Sequence, residues 1–284
     1  GKTTVTYLIE GILACAGRIP AVIGTIDYRV AGTVLRKGLT TPFPHELQAV
    51  TAEAVALGAT DLLVEVSSHS AAQGRIEGVR FDVGIFTNLT RDHLDFHGDM
   101  ESYFSAKARL FREYLPAGGK RTGIALNGDD PYGERLAQEC PSATPFGFSR
   151  SRDIHPEEME MAWEGTRVVL ATPAGPLALR SPLIGAHNVS NMMAAVAGGL
   201  LLSVSPATIA AGIAAAGTIP GRLEPIPNAR GLHVFVDYAH TPDGMDRVLS
   251  TLRGLTEGRL VTVFGCGGNR DRGKRPGMGR VAAL

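Results

Sequence analysis

Over residues 1–115, short apolar runs alternate with stretches whose apolar residues recur three and four apart. Thr4 to Ala16 predicts a helix, Ala21 to Gly24 a short strand, Pro44 to Leu57 a second helix, and DLLVEV (Asp61 to Val66) a buried strand. FDVGIFTN (Phe81 to Asn88) predicts another strand, followed by a helix through ESYFSAKARLF (Glu101 to Phe111). Short apolar strands alternating with helices predict an α/β fold with a parallel, doubly wound sheet. From Gly123 to Leu183 the runs GIALN, TPFGF, MEMAW, TRVVLAT and GPLALR are punctuated by Gly and Pro at hairpin spacing, which predicts a small antiparallel section. At GRLEPI (Gly221 to Ile226) the βαβ pattern restarts with HVFVDYAH, a helix near Asp243 to Leu252, and RLVTVFG. That restart divides the chain into a central unit, 1–221, and the first part of a Rossmann-like unit, 222–284.

Lys107 breaks the helical pattern. Met100, Tyr103, Phe104, Leu110, Phe111 and Tyr114 form the apolar stripe of its helix, and Lys107 falls in the middle, four residues from both Tyr103 and Phe111. Periodicity alone favours a lysine that snorkels to solvent or pairs with Asp92 or Asp95. The alternative is a desolvated amine of lowered pKa, able to react with CO₂ and become a carbamate anion.

Composition removes several function classes. Twenty-eight basic residues balance 28 acidic ones among 284, which argues against a nucleic-acid surface or a polybasic membrane patch. Cys15, Cys140 and Cys266 are odd in number and widely spaced, as suits a reducing cytoplasm without a disulfide framework. Residues 188–221 carry no charge, but Asn188, Ser190, Asn191, Ser203 and Ser205 interrupt the run and Ser205-Pro206 reads as a helix start. Two buried alanine-rich helices are therefore expected there, not a membrane span. The opening GKTTVTYLIEG has no signal-peptide pattern; it begins inside a motif, and GRVAAL stops where a helix begins, so the sequence reads as a fragment missing both ends.

Gly1-Lys2-Thr3-Thr4 matches the tail of a phosphate-binding loop, whose backbone N–H groups and lysine take phosphates and whose Thr hydroxyl takes Mg²⁺. By itself it is equally an ordinary helix start. Glu65 lies near the carboxyl end of an apolar strand, where open α/β sheets place ligands; a metal role outweighs a capping role because a charge there needs a partner. Asn88, Asp92, His93, Asp95 and His97 crowd the next strand end and favour a metal or phosphate site. Asn188 and Asn191 share one face of a helix start, as a cap or as nucleotide contacts. DYAHTPD offers Asp237 and His240 to a nucleotide, and FGCGGNRDRGKRP offers a glycine loop with Arg270, Arg272, Lys274 and Arg275.

The order of these segments carries more than any one of them. GKTT, GLTTP, EVSSHS, FTNLTRDHLDFHG, YFSAKARLF, GAHNVSN, GRLE, DYAHTPD and FGCGGNRDRGKRP together resemble the Mur ligases. The likeness is strongest to the type that adds the third amino acid to UDP-N-acetylmuramoyl-L-alanyl-D-glutamate (the MurE type). The resemblance implies a phosphate-loop sheet and an ATP-dependent acid–amino-acid ligase acting through an acyl phosphate in peptidoglycan precursor synthesis. It also implies two Mg²⁺ ions, small-molecule substrates (the UDP-muramoyl dipeptide with diaminopimelate or lysine), and a cytoplasmic monomer. By position it assigns phosphate and metal roles to Gly1, Lys2, Thr3 and Thr4, metal ligation to Thr3, Glu65, His93 and Lys107, and catalysis to Lys2, His93 and Lys107, the last as a CO₂-derived carbamate. Thr40, Thr41, Ser67, Gln73 and Arg75 fall at muramoyl-dipeptide positions and Arg270 at a position for the incoming amino acid. Asn188, Asn191, Arg222, Asp237 and His240 fall at nucleotide positions. Asp27, Phe43 and Asn269 depart from the pattern. The resemblance further implies an amino-terminal UDP-binding domain before Gly1 and an amino-acid-selecting D-N-P-R segment after Leu284. The rival readings are a lysine-adding or folylpolyglutamate-type ligase and a non-catalytic nucleotide-binding module.

Overall fold

The computed structural model describes residues 1–267 and 272–283. Helix α1 (Lys2–Cys15) leads into strand β1 (Pro20–Ile23), then a hairpin of β2 (Tyr28–Val30) and β3 (Thr33–Arg36). Helix α2 (Pro44–Ala56) returns the chain to β4 (Asp61–Val64), which pairs parallel with β1, giving the order β3-β2-β1-β4. After the short α3 (Ser68–Ala72) comes β5 (Val83–Phe86), then α4 (Leu94–His97) and α5 (Met100–Arg109), which runs on as a π turn (Leu110–Tyr114) into the single-turn α6 (Leu115–Ala117). Strand β6 (Gly123–Asn127), helix α7 (Pro131–Glu139) and β7 (Thr144–Phe146) complete a second parallel sheet, β5-β6-β7.

The antiparallel section starts later than expected. GIALN and TPF are parallel strands, because the nine-residue α7 between them makes a crossover that a hairpin turn cannot. Asp130 caps that helix through Tyr132 N and Gly133 N, with Pro131 in its first turn. The antiparallel sheet itself is β8 (His155–Ala162), β9 (Gly165–Ala171) and β10 (Leu177–Ser181), in the order β10-β9-β8. The uncharged run forms two helices as expected, α8 (Ala186–Leu201) and α9 (Pro206–Ala215), the second capped by Ser205. Among the described residues no helix is long and apolar enough to cross a membrane.

Helix α1 is buried against α8 and α9, with Leu8, Ile12, Leu13, Met192, Met193, Ile209 and Ile213 in the core. Gly11 and Gly212 allow that approach: a Cβ on Gly212 would stand 2.3 Å from Ile12 Cα. A second core, with Phe86, Phe104, Phe111, Leu126 and Leu136, fixes α5 and α7 on the β5-β6-β7 sheet.

The last unit departs most from expectation. Of HVFVDYAH only Phe235–Val236 (β12) is a strand, paired with Glu224–Pro225 (β11). RLVTVFG forms no strand among its described residues, and Val261 and Val263 are exposed. Alternating apolar residues do not make a strand without a neighbouring backbone to hydrogen-bond, and this segment has no ladder partner among the described residues. Helix α10 (Pro242–Leu255), capped by Thr241, and α11 (Arg275–Ala282) complete the chain. Ile184, Leu223 and Leu252 pack with Trp163 and Phe235, joining this unit to the β8–β9 hairpin.

Candidate active site

The parallel strands β1, β4 and β5 all deliver their carboxyl ends to one region. β4 and β5 are not hydrogen-bonded to each other; they border a cavity of about 1250 Å³ whose lining includes Lys2, Glu65, Thr87, Asn88 and Lys107. Lys2 and Thr3 sit in the first turn of α1, where unpaired backbone N–H groups and the helix dipole favour an anion. Gly1 lies against the end of β5, close enough that a Cβ would stand 2.9 Å from Thr87 Oγ1.

Glu65 is 2% exposed, and neutral donors hold its carboxylate. Thr3 Oγ1 and Thr25 Oγ1 each donate to Oε2 at 3.0 Å, and Thr25 N donates to Oε1 at 3.0 Å. Gly24 makes the approach possible, since a Cβ there would stand 2.4 Å from Oε1. The adjoining polar residues belong to the segments beside it. Thr41, buried, donates to the Glu65 carbonyl oxygen at 2.6 Å and accepts from Ser67 N at 3.1 Å. Arg75 donates to Thr41 O at 3.1 Å and through Nε to Gln73 Oε1 at 2.9 Å, with its guanidinium 4.5 Å above the Phe43 ring.

Lys107 is half-buried and has no carboxylate within ion-pair distance among the described residues, so the expected pairing with Asp92 or Asp95 is absent. Its ammonium lies 5.3 Å from the Tyr103 ring centroid. Desolvation, helped by the charge of Lys2 and opposed by Asp130 and Asp92, lowers its pKa to about 7. Two cations thus address one cavity, an arrangement that calls for an anion between them.

His93 caps α4 in a left-handed conformation, φ 55°, beside Asp92. Burial lowers its pKa, against the pull of Asp92, and so favours the neutral imidazole that metals bind. His97, stacked on Tyr103 at 4.8 Å and 2.9 Å from Ser68 Oγ, is pushed down to about 4 by burial and by the neighbouring His69, His93 and Lys107. No three His, Cys, Asp or Glu side chains gather as a ready-made cation site among the described residues. One buried carboxylate, a hydroxyl and a neutral imidazole beside a helix start that favours an anion nevertheless suit Mg²⁺, which uses few protein ligands and several phosphate or water oxygens.

The last unit reaches into the same region. Arg222 donates to Thr3 Oγ1 at 3.1 Å and lies 4.9 Å over the Tyr238 ring. His240 faces Asp92 at 3.4 Å; burial of Asp92 is outweighed by this contact and by His93, leaving its pKa at about 2, while the same contact raises His240. Asp237 spends its carboxylate on Leu223 N and Ala239 N, each 2.7 Å away. Asn188 and Asn191 are buried and bonded to each other at 3.0 Å, and Asn188 also donates to Ile184 O; Gly185, not Asn188, is the helix cap. Arg270 and Asn269 lie outside the described residues. Sequence reasoning missed Gly24 and Thr25, whose only signal was a Gly-Thr pair ending a strand.

A profile described as Mur ligase middle domain matches residues 1–199, and one described as Mur ligase, glutamate ligase domain matches residues 221–284. The chain belongs to the Mur ligase family. Curated relatives within it include proteins named UDP-N-acetylmuramoyl-L-alanyl-D-glutamate–2,6-diaminopimelate ligase. The one from Geobacter metallireducens is 48% identical over 99% of this chain, and that from Gloeobacter violaceus 47% over 100%. This Mur ligase chain spans 56% and 57% of those two proteins. A solved structure carrying the same ligase name superposes with a TM-score of 0.80 at 31% identity, covering 100% of this chain and 58% of that one. A Mycobacterium tuberculosis folylpolyglutamate synthase shares the fold, with a TM-score of 0.71 at 19% identity over 89% of this chain and 64% of its own.

Proposed function

We propose that this chain is the nucleotide-binding core, with the start of the carboxyl-terminal unit from residue 222, of a cytoplasmic, monomeric ATP-dependent ligase. That ligase adds the third amino acid, meso-diaminopimelate, to UDP-N-acetylmuramoyl-L-alanyl-D-glutamate. The observation that carries the reading is the alignment of 99% of this chain, at 48% identity, with 56% of a protein bearing that ligase's name. The convergence of Lys2, Thr3, Glu65 and Lys107 on one region supports it.

The chemistry is phosphoryl transfer followed by acyl transfer. The free carboxylate of the acceptor's D-glutamate attacks the γ-phosphorus of ATP, releasing ADP and leaving an acyl phosphate. The amine of diaminopimelate then attacks the acyl carbon, loses a proton, and expels phosphate from a tetrahedral intermediate. An anionic nucleophile meeting a polyanion is the main obstacle, and positioned cations are the remedy. Lys2 supplies one at the start of α1, Arg222 a second from the last unit, and Arg75, braced by Gln73, holds the acceptor. Thr3, Glu65 and neutral His93 would hold Mg²⁺, which when bound would supply positive charge against the anionic nucleophile and the phosphates. Reaction of the neutral Lys107 amine with CO₂, losing one proton, would turn that side chain into a carboxylate-like ligand for a second ion. By the family resemblance, Asn188, Asn191, Asp237 and His240 would serve the nucleotide and Arg270 the incoming amino acid.

The test is phosphate release by the protein at the length of its curated relatives, given ATP, Mg²⁺ and the UDP-muramoyl dipeptide with either meso-diaminopimelate or L-lysine. Release that depends on diaminopimelate is expected. Dependence on lysine would reassign the amino acid, and release with neither would overturn the ligase reading.

A further inference from the structure

We propose that Thr25 is a positioning residue that wires the hydroxyl of Thr40, on the acceptor side, to the carboxylate of Glu65, on the metal side. The proposal rests on the metal role of Glu65 and the acceptor role of Thr40 given above. Thr25 Oγ1 lies 3.0 Å from Glu65 Oε2 and 3.1 Å from Thr40 Oγ1. A carboxylate only accepts, and a hydroxyl has one proton to donate. The Thr25 proton therefore goes to Glu65, and Thr40 must donate its own proton to Thr25. Thr40 is left with lone pairs alone towards a ligand. It can take an N–H or O–H from the acceptor substrate but cannot donate to one of its carbonyls.

The same residue fixes the carboxylate at both oxygens, because its N–H holds Oε1 while its hydroxyl holds Oε2. The turn that presents it is itself anchored. Gly24 N donates to Asp27 O, and the Asp27 carboxylate pairs with Arg29 at 2.6 Å. Arg29 is in turn bonded through Nε to Glu10 at 3.0 Å and lies 3.9 Å over the Tyr7 ring. Asp27, a departure from the family pattern, thus serves the turn that carries Thr25.

Groups that orient a metal ligand without touching the metal usually matter 10–100-fold for metal affinity or activity. The experiment compares Thr25→Val, which keeps shape and N–H but loses the hydroxyl, with Thr25→Ser, which restores it, and with Glu65→Gln. All are made in the protein at the length of its relatives. Mn²⁺ is the probe, titrated in the presence of ADP and read by the EPR signal of the free ion, alongside KM for the UDP-muramoyl dipeptide. Thr25→Val is expected to weaken Mn²⁺ binding about 10–100-fold and to raise that KM, with Thr25→Ser close to wild type in both. Wild-type Mn²⁺ binding by Thr25→Val, while Glu65→Gln loses it, would overturn the wiring and leave the metal role of Glu65 standing. Equal losses in the Ser and Val variants would overturn it too, because serine restores the hydroxyl and would then restore nothing. Unaltered binding in Glu65→Gln would remove the metal reading itself and the proposal with it.

Discussion

Replacing Lys107 by Met should abolish the ligase and stabilise the fold, by an amount that depends on pH. The fall in the lysine's pKa from 10.5 to about 7, at 1.36 kcal/mol per pH unit, sets an upper bound of about 5 kcal/mol on the cost of holding the ammonium in the folded state. The half-buried side chain lets solvent relax part of that cost. The contact with the Tyr103 ring at 5.3 Å returns about 1 kcal/mol that the variant loses. A net gain of about 2 kcal/mol for Lys107→Met at pH 6.5 is a reasonable order of magnitude, since methionine fills the same space with a thioether.

The sign follows from proton counting. Below pH 7 both folded and unfolded chains hold the proton, and the cost is fully present. Between pH 7 and 10.5 the unfolded chain holds a proton that the folded chain has released, so wild-type stability rises with pH across that window. The advantage of Lys107→Met should therefore shrink towards zero by about pH 10. Urea unfolding of both proteins at pH 6.5 and 9.5 in CO₂-free buffer measures it; adding bicarbonate at the higher pH should stabilise only the wild type, because the proposed carbamate would form preferentially on the folded state, where the Lys107 amine is free. A variant less stable than wild type at pH 6.5, or a difference that does not change with pH, would refute the reasoning.

Phe43 departs from the acidic residue that the family resemblance leads one to expect, and its ring carries the Arg75 guanidinium at 4.5 Å. At ~0.5–1 kcal/mol for an exposed cation–π contact, Phe43→Ala should raise KM for the UDP-muramoyl dipeptide about 2–5-fold with kcat unchanged, and Phe43→Tyr should not. Asp27→Asn removes one of the two carboxylates on buried Arg29 and should cost ~1–3 kcal/mol in urea unfolding, with little change in added salt because the pair is screened from solvent. Gly212→Ala forces a Cβ to 2.3 Å from Ile12 Cα and should lower stability by at least ~2 kcal/mol. Gly254→Ala, in a helix and facing open space, should be neutral or slightly stabilising; urea unfolding of both glycine variants checks the pair.

Several helices were legible in their own residues, whereas the nine-residue α7, despite its proline start, fell within the stretch expected to be antiparallel. The stripe through Tyr103, Phe104 and Phe111 placed α5, and the Pro44 start placed α2, within a residue or two of their observed ends. The hairpin β2–β3 was not, because its turn is Ala31-Gly32, with φ of 47° and 79°. Such turns are ordinarily announced by Asn-Gly or Asp-Gly. RLVTVFG carried a strand's composition without a strand's partner. The candidate site divides along the same line. Glu65 and Lys107 stood out as charges where their own elements are apolar. Thr25 and Gly24 did not, since their role comes from register: Ile23 pairs with Val64 in the β1–β4 ladder, so the residues that follow, Gly24 and Glu65, arrive side by side. Forty residues separate Thr25 from the carboxylate it holds, and neither segment alone encodes the meeting. The sheet does, by setting which strand ends are neighbours before any of their polar side chains has a partner.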